Sequence, residues 1–308
     1  MTNSGNDEIS ASVELMQRVD LDNLLEARQL MGSEGLDVGS AEERYGPRVV
    51  VEDHQIDTGS GEIDARVYRP AEVGQERVAV LLLHGGAFVG GDLATEHARS
   101  LRFAAEAGCV VISPAYRLAP EHSYPHGLLD CYAVLEWIAG HADALHISTQ
   151  KLVVAGVSAG GALAAALSLM VRDRGGPSIR AQMLLYPVLD DRMATVSMLR
   201  FIDTPVWDAA NSQKMWRLYL GNSNPDAYAA PARAESLRGL PPTYLLIAEI
   251  DPLRDEALEF GARLLSADVP VDIRLWAGGY HVFDQLLPDA KLSALSLADQ
   301  ISFIRRLG

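Results

Sequence analysis

Lys151-Leu152-Val153-Val154-Ala155-Gly156-Val157-Ser158-Ala159-Gly160-Gly161, running on into the alanine-rich 162–170, is the stretch whose reading decides the fold. Four consecutive apolar residues, 152–155, predict a strand buried on both faces. Ala162-Leu163-Ala164-Ala165-Ala166-Leu167 is a strong helix sequence. Between them lies Gly-x-Ser-x-Gly, in which glycines let neighbouring chain approach a sharply turned serine. Such a turn presents the Ser158 hydroxyl at a helix N-terminus, where free amides and the helix dipole favour developing negative charge. The pattern therefore points to a nucleophilic serine, set against the plainer reading of a tight turn that contains one.

Outward from this stretch, apolar runs alternate with helical sequence. Strands are predicted at 78–83, 109–113, 152–155, 183–186, 243–248 and 271–275. Helices are predicted at 94–107, 127–139, 159–172, 253–266 and 289–305. That alternation predicts an α/β fold, a mainly parallel sheet with helices on both faces. Upstream, 49–51 and the alternating 62–68 predict two further strands, the second a half-exposed antiparallel one closed by Pro70. Residues 11–31 carry Val13, Met16, Leu21, Leu24, Leu25 and Leu30 at helical spacing on an acidic background, and 32–47 look like a linker. Residues 190–235 interrupt the alternation and carry Phe201, Trp207, Met215, Trp216 and Tyr219, as an insertion over the sheet edge would.

The bulk composition narrows the classes of partner. The 308 residues are 48% hydrophobic and 22% charged, a globular balance. With 26 basic against 41 acidic residues the net charge is −15, which disfavours nucleic acid and anionic membrane as partners. No apolar run is long enough to span a bilayer, and the first eight residues lack the basic and apolar regions of a signal peptide. Cys109 and Cys131 lie in apolar surroundings and read as reduced core residues, with neither a disulfide nor a metal site expected. A cytoplasmic location is the corresponding expectation.

Partners for the serine follow from chain order. In sheets of this kind the acid and then the histidine come after the nucleophile. Of the eight histidines only His281 lies beyond Ser158, just past the last predicted strand, where open α/β sheets form their sites. The acid is left between Asp251, at the end of its strand before Pro252, and Asp255 one helical turn on, with Asp251 the better placed. It would hold the imidazole in one tautomer and stabilise its cation. Oxyanion donors are expected from the turn His84-Gly85-Gly86-Ala87-Phe88-Val89-Gly90-Gly91-Asp92 after the strand at 78–83, with His84 bracing the loop from behind. Phe88 and Trp207 are candidates to line the substrate pocket.

These blocks together resemble the hormone-sensitive-lipase-like, or bacterial family IV, esterases of the α/β-hydrolase superfamily. The residues carrying the likeness are 84–87, Tyr116-Arg117-Leu118-Ala119-Pro120-Glu121, 156–161, Leu185-Tyr186-Pro187-Val188-Leu189, Asp251-Pro252-Leu253-Arg254-Asp255-Glu256 and His281. The resemblance implies an eight-stranded α/β-hydrolase sheet with nucleophile Ser158, acid Asp251 and base His281. It also implies an oxyanion hole from the amides of Gly85, Gly86 and Ala159. Residues 1–47 and an insertion near 190–225 would form a cap over a catalytic domain at 48–308. No cofactor is implied; the partner is a small ester, and homodimers occur in the family. Three departures stand out: Val157 where the family often has aspartate, Ala87 for a glycine of the oxyanion loop, and Val282 for the glycine after the base, which narrows the alcohol side of the pocket. Arg117 and Glu121 read as buried polar contacts behind the site.

The activity so implied is hydrolysis of short- to medium-chain acyl esters through an acyl-enzyme. An amidase or a deacetylase of acetylated small molecules would use the same residues. A non-catalytic receptor on this fold, like the plant gibberellin receptors, lacks the histidine that this chain keeps.

Overall fold

In the computed structural model, residues 19–32, 38–72 and 76–308 are described. The eight strands are β1 (Val49–Asp57), β2 (Glu62–Pro70), β3 (Arg77–Leu83), β4 (Val110–Pro114), β5 (Ile147–Val157), β6 (Ala181–Leu185), β7 (Thr243–Ile250) and β8 (Val271–Tyr280). They form one sheet in the order β1-β2-β4-β3-β5-β6-β7-β8. β1 and β2 pair antiparallel, β2 pairs antiparallel with β4, and every later pairing is parallel. The predicted α/β architecture is present, with several strands longer than their apolar runs.

The central strands are buried on both faces, and successive residues feed two different cores. Ala79, Leu81 and Leu83 of β3 pack into one, Val80 and Leu82 into the other. This is why β3 and β5 read as continuous apolar runs rather than as alternations. Against the first core lie α4 (His126–Gly140) and α6 (Ala159–Arg174), the latter buried along its whole length from Ala159 to Val171. Its alanines and glycines allow that depth, because small side chains let the helix settle close to the strands.

Two regions differ from expectation. The stretch 32–47 is not simply a linker, because it contains the helix α2 (Val38–Tyr45). Ala41-Glu42-Glu43-Arg44 are good helix formers, but eight residues are too few to be helical alone, and packing supplies the rest: Ala41 and Tyr45 are buried in the second core. The predicted helix at 94–107 divides into α3 (His97–Arg102) and a π-type turn at Phe103–Ala107. Within 11–31 the helix α1 spans Leu24–Met31, and residues 11–18 lie outside the described segments. The interruption at 190–235 has no strand among the described residues. It holds α7 (Val196–Arg200) and α8 (Ala209–Leu220), each started by a side-chain cap, Thr195 on Met198 and Asp208 on Asn211.

Candidate active site

Strand register brings the separated side chains together. On β7 and β8, Ile250 stands opposite Tyr280, so the next residues along each strand are Asp251 and His281. On β5 and β6, Val157 stands opposite Leu185, so Ser158 follows beside Tyr186. All of these lie at the carboxyl ends of parallel strands, where the backbone leaves the sheet.

Ser158 occupies a strained turn between β5 and α6, with φ 56° and ψ −114°. A non-glycine residue there costs roughly 1–3 kcal/mol and persists only where its surroundings hold it. Its amide donates to the Leu185 carbonyl at 2.8 Å, and its carbonyl accepts from Val188 at 3.2 Å. The flanking glycines are needed for space. A Cβ at Gly156 would lie 2.0 Å from the Gly160 carbonyl oxygen, and one at Gly160 would lie 2.1 Å from that of Leu83.

His281 Nε2 is 2.9 Å from Ser158 Oγ, and its Nδ1 is 2.7 Å from Asp251 Oδ2. An ionised carboxylate only accepts, so Nδ1 carries the proton and Nε2 is free to accept from the hydroxyl. The other oxygen of Asp251 accepts from the Leu253 amide at 2.9 Å. Relative exposures of 7% for Ser158, 4% for His281 and 1% for Asp251 keep these contacts largely out of water. Asp255, the alternative acid, is used elsewhere: it accepts from the Ser197 amide and from Arg254, fastening α7 to the helix α9 (Arg254–Ser266).

The turn after β3 lies against the serine, and Gly85, Gly86 and Ala87 line the same cavity as Ser158 and His281. Gly86 and Ala87 have positive φ, 118° and 56°. Among the described residues no backbone carbonyl takes their amides. Ala159, at the first position of α6, follows the serine directly. Behind the turn His84 is fully buried and stacks on Tyr116 with ring centroids 4.1 Å apart. Burial lowers its pKa to about 4, so the ring is neutral.

The cavity measures about 350 Å³, and its other walls are mainly apolar: Val19, Leu30, Met31, Val206, Trp207 and Leu286, with Val282 next to the histidine. The Trp207 ring lies 6.2 Å from that of His281, and its Nε1 donates to Ser212 at 2.9 Å. Phe88, expected at the pocket, is elsewhere. Its ring stacks on Tyr219 at 3.7 Å and touches Trp216, so it joins the turn after β3 to α8. In that interior the ring meets two other aromatics, a better environment than a partly wet cavity. Arg117 pairs with the buried Asp130 at 2.6 Å, as expected. Glu121, expected buried, is half exposed and pairs with Arg28 of α1, which also donates to the carbonyls of Val89 and Ala119. That contact spans 93 residues and has no local sequence signal.

A buried polar cluster stands behind the histidine. Arg99 of α3 donates to Glu96 at 2.9 Å, to Asp284 at 3.1 Å and to Gln300 of α11 (Lys291–Arg305) at 2.7 Å. Burial raises the Glu96 carboxyl, against the pull of Arg99 and the Gly85 backbone amide. Burial also works against Asp284, yet the Arg99 charge and its hydrogen bonds leave that carboxyl lowered. Asp284 sits three residues after His281, so the cluster ties the histidine turn to the rest of the chain.

Comparison with known proteins shows the same fold and family. Residues 80–285 match the family model described as the α/β-hydrolase fold. Esterase LipI of Mycobacterium tuberculosis is 39% identical over 232 residues, covering 74% of this chain and 72% of LipI. Carboxylesterase NlhH of the same species is 32% identical over 254 residues, covering 79% of each chain. Among solved structures, esterase LipW from Mycobacterium marinum superposes with a TM-score of 0.88 at 36% identity, covering 94% of this chain and 92% of LipW. A bacterial heroin esterase superposes with a TM-score of 0.89 at 35% identity, covering 98% and 97%. By its strand register, its Gly-x-Ser-x-Gly turn and these relatives, the chain belongs to the α/β-hydrolase superfamily, in the hormone-sensitive-lipase-like group of esterases.

Proposed function

We propose that this protein is a serine carboxylesterase in which Ser158 is the nucleophile, His281 the base and Asp251 the acid. The observation that carries the reading is the continuous contact from Ser158 Oγ through both nitrogens of His281 to Asp251, 2.9 Å and 2.7 Å. Ser158 Oγ attacks the ester carbonyl carbon while His281 Nε2 takes its proton. Asp251 fixes the tautomer and stabilises the imidazolium. The amides of Gly86, Ala87 and Ala159 receive the oxyanion, a donor set in which each member is worth about 3–4 kcal/mol of barrier. The Gly85 amide, expected in that set, is directed at the Glu96 carboxyl instead. As the carbon–oxygen bond breaks, the alcohol leaves with the proton held on Nε2. Water then gives a proton to His281 and attacks the acyl-enzyme, releasing the acid and restoring the serine.

A cavity of about 350 Å³ with mainly apolar walls suits short- to medium-chain acyl esters, with Trp207 and Val282 as substrate contacts. The described part of 1–47, residues 19–32 and 38–47, and about 190–225 act as the cap over the catalytic unit at 48–308; the rest of 1–47 lies outside the described residues. This division is supported by Val19, Leu30, Met31 and Trp207, which reach the cavity from those two segments. Among the described residues no helix is long and apolar enough to cross a membrane. Two free, buried thiols, with Cys109 pushed up to about 12 by burial, fit a cytoplasmic location.

The test is turnover of p-nitrophenyl esters from acetate to octanoate by the parent, Ser158→Ala and His281→Ala proteins. Each substitution is expected to lower kcat by at least about a thousandfold with KM little changed. Retained turnover in either variant removes the mechanism. Faster cleavage of a matched amide than of its ester by the parent protein would move the assignment to an amidase.

A further inference from the structure

Left-handed backbone at non-glycine residues concentrates around this site. Ala87 and Phe88 in the oxyanion turn, Ser158, Tyr186 beside the imidazole, Val206 and Val282 all have positive φ. For the serine and the oxyanion turn the geometry serves the chemistry already described. Val206 and Val282 take no part in that chemistry, and a β-branched side chain is among the least suited to positive φ. Val206, at φ 67°, is the centre of a three-residue turn in which the Trp207 amide donates to the Pro205 carbonyl at 2.7 Å. A γ-turn with positive φ at its centre is rare and strained. Val282, at φ 52°, comes directly after His281.

Surrounding bonds hold both residues in place. Thr204 Oγ1 donates to the Trp207 carbonyl at 2.6 Å, and the Trp207 ring nitrogen is fixed on Ser212. The Val282 carbonyl accepts from the amides of Gln285 at 3.0 Å and Leu286 at 3.2 Å, beginning the short helix α10 (Phe283–Leu286). Both side chains are half-buried, belong to the same apolar cluster and line the catalytic cavity. Glycine at either position would relieve the backbone while leaving that space open. What the valines add over glycine is volume in the cavity.

We propose that Val206 and Val282 are the specificity-determining pair of this esterase, held in strained backbone so that their methyl groups close the cavity beside His281 and admit only esters with compact, unbranched groups next to the carbonyl. This rests on the esterase reading above and names the substrate class within it. Val206 supplies wall from the segment that carries Trp207, and Val282 supplies it from the segment that carries the base. A substrate bound against the histidine therefore meets both.

The experiment compares kcat/KM across two ester series, p-nitrophenyl acyl esters from acetate to decanoate and acetates of linear and branched alcohols. The proteins are the parent, Val206→Ala, Val282→Ala, the double alanine variant, and the shape-preserving Val206→Thr and Val282→Thr. In at least one series the double alanine variant is expected to raise the ratio of long or branched to short substrates by about tenfold or more. The threonine variants should keep the parent ratio. A purely packing role predicts lower melting temperatures for the alanine variants with both series unchanged in ratio, and that result overturns the proposal. Should the alanine variants fold poorly, Val206→Gly and Val282→Gly, which relieve the backbone, carry the same expectation and the same refutation. A parent protein inactive on every ester, with Ser158 unlabelled by a phosphonate, would sink the esterase reading first, and this inference with it.

Discussion

His84 is held neutral by burial, with Nδ1 2.7 Å from the Gly85 carbonyl, so Nδ1 donates. Its pKa of about 4 in the folded protein, against 6.5 for a free imidazole, has a definite sign. Between those values the unfolded chain binds a proton that the folded one refuses. Stability from this residue is therefore complete above about pH 6.5 and is lost as pH falls toward 4, with a slope of up to about 1.4 kcal/mol per unit. Urea unfolding of the parent and of His84→Asn at pH 7.5, 6 and 5 measures it. The parent should lose midpoint more steeply with acid than the variant, and equal slopes would contradict the buried neutral ring. At this scale His281 was readable from chain order, because Ser158 leaves a single histidine downstream, whereas the acid stayed open between Asp251 and Asp255, which lie one helical turn apart after the same strand. Val206 was not readable, since nothing in Pro205-Val206-Trp207 signals a strained turn. Phe88 was misjudged because its neighbour in sequence is the oxyanion turn, while its ring belongs to an interior built from Trp216 and Tyr219 more than a hundred residues later.

Among elements, α1 is held by one side chain more than by its own sequence. Arg28 binds the Val89 and Ala119 carbonyls and the Glu121 carboxylate, the last at 2.6 Å. Just before it, Asn211 of α8 takes the Leu21 amide at 3.3 Å and donates to the Val19 carbonyl at 2.9 Å. Since Val19, Leu30 and Met31 are cavity walls, Arg28→Ala should raise KM several-fold while kcat changes less. Chymotrypsin cleavage at the leucines of 19–31 should also become faster in that variant. An unchanged KM together with unchanged proteolysis would mean that α1 is seated without Arg28. The strands of the sheet were legible because burial on both faces leaves long apolar runs, as at 78–83 and 152–155. Helix α2 was not, because Gly39, Glu42 and Glu43 hide a packing face made of only Ala41 and Tyr45. Element ends were set by pairing rather than by composition, as where β8 runs on through Gly278 and Gly279 to reach Tyr280.

For the molecule as a whole, Arg99 is the point where distant parts of the chain are tied. It reaches Asp284 across 185 residues and Gln300 across 201. Removing one member of a buried charged set leaves the others unpaired, so Arg99→Met should destabilise the protein by about 3–5 kcal/mol. Denaturant midpoints check this, and a loss below about 1 kcal/mol would place the cluster among contacts of little energetic weight.

The same bonds to Asp284 and Gln300 place α11 behind His281, which itself follows β8. A working site therefore forms only after the chain has been made through α11. A copy released early, ending before Lys291, should leave Ser158 unmarked by phosphonate. Interrupted translation then yields inert fragments instead of stray hydrolases.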